Sequence, residues 1–332
     1  MTLESFSKGA LTFIRATNAS GLSVTLCDFG AAIYEIRFKG RAMTIAEKDL
    51  EEWKASSSYF GKTVGRMAGR IPNGDLDYLG KHHKVDANDG TNCLHGGKEG
   101  FSFLPFKMDV VHLGNGVSVD YYLVSKAGAM GFPGEVDLRV RYFIPENEPS
   151  LKITYEMKSS EQTPLNITCH AYFNLGGDAT VENQKLYVKA EETEHYDEHL
   201  APLGFQKSPE CLNFLTPKAV GRDIGDPFLQ KSKTLGYDHC FLLENHDPKE
   251  AVATLESPVA KMSLFTDYPA LQIYSDNYPR LTHLLNTGMK EGLHAGLAIE
   301  PVFKPKDFRG MTVLPYETKK MWIEYVFTSK EA

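Results

Sequence analysis

A chain of 332 residues with 42% hydrophobic and 24% charged residues is long enough for one large domain or two, and has the balance of a globular protein. No apolar run is long enough to cross a bilayer as a helix, and a formal net charge of −7 leaves no basic footprint for nucleic acid. Five scattered cysteines, Cys27, Cys93, Cys169, Cys211 and Cys240, never form C-x-x-C, which predicts neither a disulfide framework nor a zinc site. The start MTLESFSKGALTFIRA has no basic segment followed by a continuous apolar one, so a cytoplasmic protein is expected. On that expectation the two N-x-[ST] matches, at Asn18 and Asn166, are chance.

From residue 10 onward short alternating runs follow one another: LTFIRA, SGLSVTLCDFG, AAIYEIRFKG, VSVDYYLVS, VDLRVRYFI and LKITYEMKS. Period-two alternation of β-branched and aromatic residues marks strands. The turn formers Asn18–Gly21, Gly114–Gly116 and Pro145–Pro149 punctuate them as antiparallel hairpins. Helix is expected only over Leu50–Ser56 and near Tyr278–Asn286. No repeat, low-complexity segment or linker divides the chain, which predicts one all-β domain over 1–332, a large antiparallel sandwich.

Several stretches carry chemistry. YFGKTVGRMAGRIPNG, residues 59–74, holds Arg66 and Arg70 among glycines, with Arg70 the favoured site residue; neither phosphate-loop spacing is present. NDGTNCLHGGKEGF, residues 88–101, is a loop that presents His95. LNITCHAYFNL, residues 165–175, alternates an apolar face with Asn166, Thr168, His170, Tyr172 and Asn174, a strand with one core face and one face of hydrogen-bonding groups suited to a sugar. ETEHYDEH places His195 and His199 four apart; without the H-E-x-x-H order, and followed by LAPLG, it reads as a solvated turn and loop, not a metal site. Asp238 precedes the apolar strand of GYDHCFLL, and Gln272 lies within PALQIYSDNY; each is ambiguous alone. In LHAGLAIEPVF, Glu300 interrupts an apolar run, where a carboxylate is costly unless it is paired or serves as a base.

Six of these motifs in order, YFG…GRMAGRI, NCLHGG, TPLNITCHAYFNLGG, YDH, LQIYSDN and LAIEP, make the chain resemble the aldose 1-epimerases, the galactose mutarotases, nearly end to end. The resemblance implies an antiparallel β-sandwich with a concave sugar-binding face. It implies interconversion of hexose anomers, galactose or glucose, by acid–base ring opening without metal or organic cofactor; a monomer or homodimer is expected. Carried over by motif, Glu300 is the general base and His170 the general acid, while Arg70, His95, Asp238 and Gln272 hold the sugar.

Departures from the family pattern are Gly69, where members usually carry Asn before the arginine, and Val302 with the run FKPKDFR after the glutamate. Lys304, Lys306 and Arg309 keep a hexose phosphate as an alternative substrate, although a charged run is more often a solvated surface. A glycoside hydrolase with Asp238 and Glu300 as its carboxylates, and a noncatalytic carbohydrate-binding protein, are the competing classes.

Overall fold

The computed structural model describes residues 1–197, 202–231 and 235–330. Its strands are joined almost wholly by antiparallel pairing into three large sheets. Five strands spanning 2–42 form an N-terminal meander, in sequence order. A nine-stranded sheet runs in the order 107–113, 116–125, 136–145, 150–159, 319–329, 260–266, 253–256, 185–188 and 218–219. A seven-stranded sheet runs 202–207, 192–196, 238–242, 270–274, 297–302, 172–173 and 44–45.

The alternation that marks the strands is also what packs the sheets. In Val136–Pro145, Val136, Leu138, Val140, Tyr142 and Ile144 are buried while Asp137, Arg139 and Arg141 are not. One core cluster draws Ile323, Tyr325 and Leu264 from the nine-stranded sheet and Phe241, Leu271, Ile273, Ile299 and Phe173 from the seven-stranded one. The Phe173 and Tyr325 rings meet at 4.9 Å across that core. The all-β sandwich expected from the alternation is the architecture found.

The seven-stranded sheet positions the site through its other face. Pairing puts Cys240 opposite Gln272 and Gln272 opposite Glu300. The next row on the same face joins Asp238, Tyr274, Ala298 and Tyr172. Because side chains alternate, the residues between these rows enter the core, so the polar set faces one way by register alone.

Four local expectations are corrected. LNITCHAYFNL is not one strand: Thr168–Cys169 pairs with Thr63–Val64, and Tyr172–Phe173 pairs with both Thr44–Ile45 and Leu297–Ala298. His170 sits at the change of partner, and Asn166, Thr168, His170, Tyr172 and Asn174 are all buried, because other segments cover their face. Tyr278–Asn286 forms no helix; apart from a turn closed by His283 N–H donating to Arg280 O, it docks on 46–48, with Lys48 N–H donating to Leu284 O and Asn286 N–H to Ala46 O. Glu192–Tyr196 is a strand and not a turn, and Pro202–Lys207, expected to begin as loop, pairs with it; His199 lies outside the described residues.

The helix Leu50–Ala55 forms where expected, with Asp49 accepting from the Glu51 and Glu52 amides as its cap. At its other end the buried Lys62 ammonium donates to the carbonyls of Trp53 and Lys54, complementing the helix dipole.

Gly61 ties this region to His170. Ile33 N–H donates to Gly61 O, and Gly61 N–H donates to His170 O. With φ of 68°, a Cβ on Gly61 stands 1.7 Å from Ile33 O, a distance no side chain accommodates without moving backbone. Gly61→Ala is therefore expected to destabilise folding by about 3 kcal/mol or more. Chemical denaturation of the two proteins checks this, and an unchanged midpoint contradicts it.

Candidate active site

A cavity of about 900 Å³ opens over the polar face of the seven-stranded sheet. Its lining includes all six residues singled out from the sequence: Arg70, His95, His170, Asp238, Gln272 and Glu300. They come from six separate stretches of chain and are brought together by the sheet register and by the irregular segments packed above it.

Of the six, only His170 and Glu300 are buried. His170 Nε2 stands 3.4 Å from Glu300 Oε1, with side-chain exposures of 5% and 3%. The His170 backbone is fixed on both sides, its N–H donating to Lys62 O and its carbonyl accepting from Gly61. Its ring is enclosed by Tyr172 at 5.0 Å, His95 at 5.3 Å and Tyr59 at 5.8 Å. Its Nδ1 is buried without a hydrogen-bond partner.

Burial disfavours charge on both members. It pushes the His170 pKa down to about 3. It pushes that of Glu300 well above the ordinary carboxylate range, with the nearby Asp238 charge adding to the effect. The sequence expectation gives the acid proton to His170, whereas burial favours the arrangement with the one shared proton on Glu300. The two arrangements contain the same number of protons and differ by one transfer across the 3.4 Å contact.

Beside this pair lies a hydrogen-bonded chain in which one guanidinium bridges two carboxylates. Gln272 Nε2 donates to Asp238 Oδ1 at 2.7 Å, Arg70 donates to Asp238 Oδ2 at 3.3 Å, and Arg70 Nε donates to Asp89 Oδ2 at 3.0 Å. Burial works against the Arg70 charge, but Asp238 and Asp89 outweigh it and raise its pKa. Arg66, the other arginine of that segment, turns away; it donates to the carbonyls of Ser125, Lys126, Pro133 and Gly134 and holds the fold.

His95 lies in a turn with φ of 52°, its N–H donating to Gly69 O. His95 Nδ1 accepts from Gly69 N–H at 3.3 Å, which leaves the ring proton on Nε2 and makes that atom a donor. Burial, then the neighbouring His170 and Arg70, push its pKa well below the ordinary value. Gly69 has φ of 83° and open space where a Cβ would stand, so its backbone conformation and not packing favours glycine there.

Sequence reasoning assigned no role to Tyr59, Asp89, Tyr274 or Tyr278, which also line the cavity. Tyr274 was legible: it lies two residues beyond Gln272 and so shares its face. Asp89 sits among turn formers, where nothing local distinguishes a ligand of Arg70 from a solvated aspartate. Of the charged tail, Lys306 lines the cavity and donates to Pro202 O, whereas Lys304 and Arg309 are not among the lining residues.

The aldose 1-epimerase family model matches residues 12–311. Galactose mutarotase of Sus scrofa is 31% identical over 288 residues, covering 84% of this chain and 82% of its own. Aldose 1-epimerase of Escherichia coli K12 is 33% identical over 300 residues, covering 87% and 85%. Among solved structures, galactose 1-epimerase from Lactobacillus acidophilus superposes with a TM-score of 0.89 at 26% identity, covering 99% of this chain and 98% of that one. An aldose epimerase homologue from C. elegans gives 0.84 at 25%, covering 96% and 99%.

The buried site has a pH signature. The unfolded chain protonates His170 at the ordinary value near 6.5 and the folded chain only near 3, so this group's contribution to stability is lost as pH falls through that window. Glu300 acts oppositely: its raised pKa contributes stability that is present below 4.5 and lost as pH rises through the folded value. Ring signals of His95, His170 and His239 in NMR spectra are expected to stay at neutral-imidazole positions down to about pH 5.5, a unit below an ordinary histidine. An imidazolium signal from His170 at that pH contradicts the burial account.

Proposed function

The chain belongs to the aldose 1-epimerase family, isomerases that interconvert the anomers of a sugar, and on that premise we propose that it acts on a free hexose, galactose or glucose, with Glu300 as base and His170 as acid. One observation carries the assignment: a buried imidazole and a buried carboxyl in direct contact at 3.4 Å, within a sugar-sized array of donors and acceptors.

Opening a hemiacetal removes the proton from the C1 hydroxyl and delivers one to the ring oxygen. Both oxygens are bonded to C1, so the acid and base must converge on neighbouring atoms, as this pair does. The reactive form is the imidazolium–carboxylate arrangement. Sugar hydroxyls donating to Glu300 favour its carboxylate, which offsets the burial that otherwise keeps the proton there. Glu300 takes the C1 hydroxyl proton, His170 protonates the ring oxygen, C1 turns about the C1–C2 bond, and reclosure on the other face reverses both transfers. Arg70 and the His95 Nε2–H supply donors for developing charge on oxygen. Asp238 and Gln272, fixed by their mutual hydrogen bond, face the hydroxyls remote from C1.

A hydrolase assignment requires a second carboxyl beside Glu300 that is free to act. Asp238 is committed to Gln272 and Arg70, which argues against it.

Glu300→Gln and His170→Asn are each expected to lower the catalysed anomer exchange about 10²-fold or more with the fold intact, because both keep size and polarity but remove proton transfer. Their double mutant is expected to be little worse than the poorer single. Asp238→Asn should chiefly raise KM and shift the preference between galactose and glucose. Polarimetry of freshly dissolved α-sugar checks all four, and near-normal turnover in Glu300→Gln removes the proposed base.

With the Lys306 ammonium held by Pro202 O, and Lys304 and Arg309 off the cavity wall, none of these three cations is set to cradle a phosphate group. Galactose 6-phosphate is expected to compete no better than galactose. Tighter binding that Lys306→Ala weakens overturns the free-hexose assignment.

A further inference from the structure

Away from the sugar cavity, three carboxyl side chains are buried together: Glu47 at 0%, Asp276 at 1% and Glu291 at 2% exposure. Glu47 Oε2, Asp276 Oδ2 and both carboxylate oxygens of Glu291 have no hydrogen-bond partner. Buried acceptors are almost always satisfied, and these orphaned oxygens of Glu47 and Glu291, with Asp276 near enough to feel both charges, form a donor set without an acceptor. His283 completes it. Its Nδ1 lies 3.1 Å from Glu47 Oε1 and 3.5 Å from Glu52 Oε2. One ligand atom from each of Glu47, His283 and Glu291 lies within 4.8 Å of the other two.

Neighbouring cations do not neutralise the cluster. Arg280 approaches Glu47 Oε1 only to 3.7 Å and is 35% exposed. Lys62, which also senses the Glu47 charge, is committed to the carbonyls of Trp53 and Lys54. Four carboxyl groups, with Glu52 at the mouth, thus face one guanidinium and a histidine.

We propose that Glu47, His283 and Glu291 bind a divalent transition cation of the zinc or manganese class. The mixed imidazole and carboxylate set selects this class over calcium or magnesium, which take oxygen ligands throughout. The cation takes the place of the proton on the buried acids, and the partly exposed His283 and Glu52 provide its entry. Its role is structural. It joins the end of strand Thr44–Ile45 to the 276–294 segment, whose Tyr278 lines the sugar cavity while Asp276 points to the cluster from between Tyr274 and Tyr278. No ligand spacing in the sequence announced it, because Glu47 and His283 are 236 residues apart.

The test uses the full chain, chelator-treated and dialysed, titrated with Zn²⁺, Mn²⁺ or Ca²⁺ while heat of binding and thermal unfolding are followed. One equivalent of Zn²⁺ or Mn²⁺ is expected to bind and raise the unfolding temperature, with Ca²⁺ much weaker. His283→Gln and Glu291→Gln are each expected to weaken binding about tenfold or more and abolish the thermal shift, with anomer exchange at ordinary temperature unchanged. The same shift in both variants means surface binding and overturns the site. Preferred binding of Ca²⁺, indifferent to His283→Gln, overturns the imidazole ligand. A Glu291→Gln protein that is more stable, with a wild type that no cation stabilises, shows a merely repulsive cluster and overturns the proposal entirely.

Discussion

Everything in the candidate site depends on burying an imidazole against a carboxyl. Each group alone is driven by desolvation to its neutral form, His170 downward and Glu300 upward in pKa. Held at 3.4 Å they become a unit with one proton and two arrangements of it. A solvated pair would lose this property, since water would stabilise both charges and leave each group at its ordinary value. The enclosing rings of Tyr59, His95 and Tyr172 therefore tune the proton as much as they shape the cavity.

The fold supplies that burial through register. Three neighbouring strands place Cys240, Gln272 and Glu300 in one row and Asp238 with Tyr274 in the next, so slipping any strand by one residue sends its polar group into the core. His170 comes from outside this lattice, at a change of strand partner, and its position is set by backbone bonds to Gly61 and Lys62. The sheet positions the proposed base and sugar-holding groups, and a crossing of irregular segments positions the proposed acid. That division explains why a glycine without room for a methyl is hydrogen-bonded to the His170 carbonyl.

Much of this was legible in the sequence because strand alternation is a local signal. The sandwich, the exceptional Glu300 in an apolar run and the Arg70 and His95 loops all follow from patterns within a few residues. The polar face of 165–175 was legible as a face but not as a buried one, since what covers it comes from segments about a hundred residues away in sequence. The supposed helix near Tyr278 failed for a related reason: its backbone partners lie at 46–48. Asp89 was invisible as the brace of Arg70 because a turn aspartate looks the same whether it is solvated or paired. The proton's location could not be read from residue types, since it depends on how fully both groups are enclosed.

The central claim is that burial keeps the proton on Glu300 until a sugar's hydroxyls draw it off. Infrared difference spectroscopy at about pH 5.5, a unit above an ordinary glutamate, measures this directly when wild type is compared with Glu300→Gln. A protonated-carboxyl band assigned to Glu300 in the sugar-free protein, diminished on saturation with galactose while a carboxylate band grows, is the predicted result. An ionised Glu300 both with and without sugar would contradict the account.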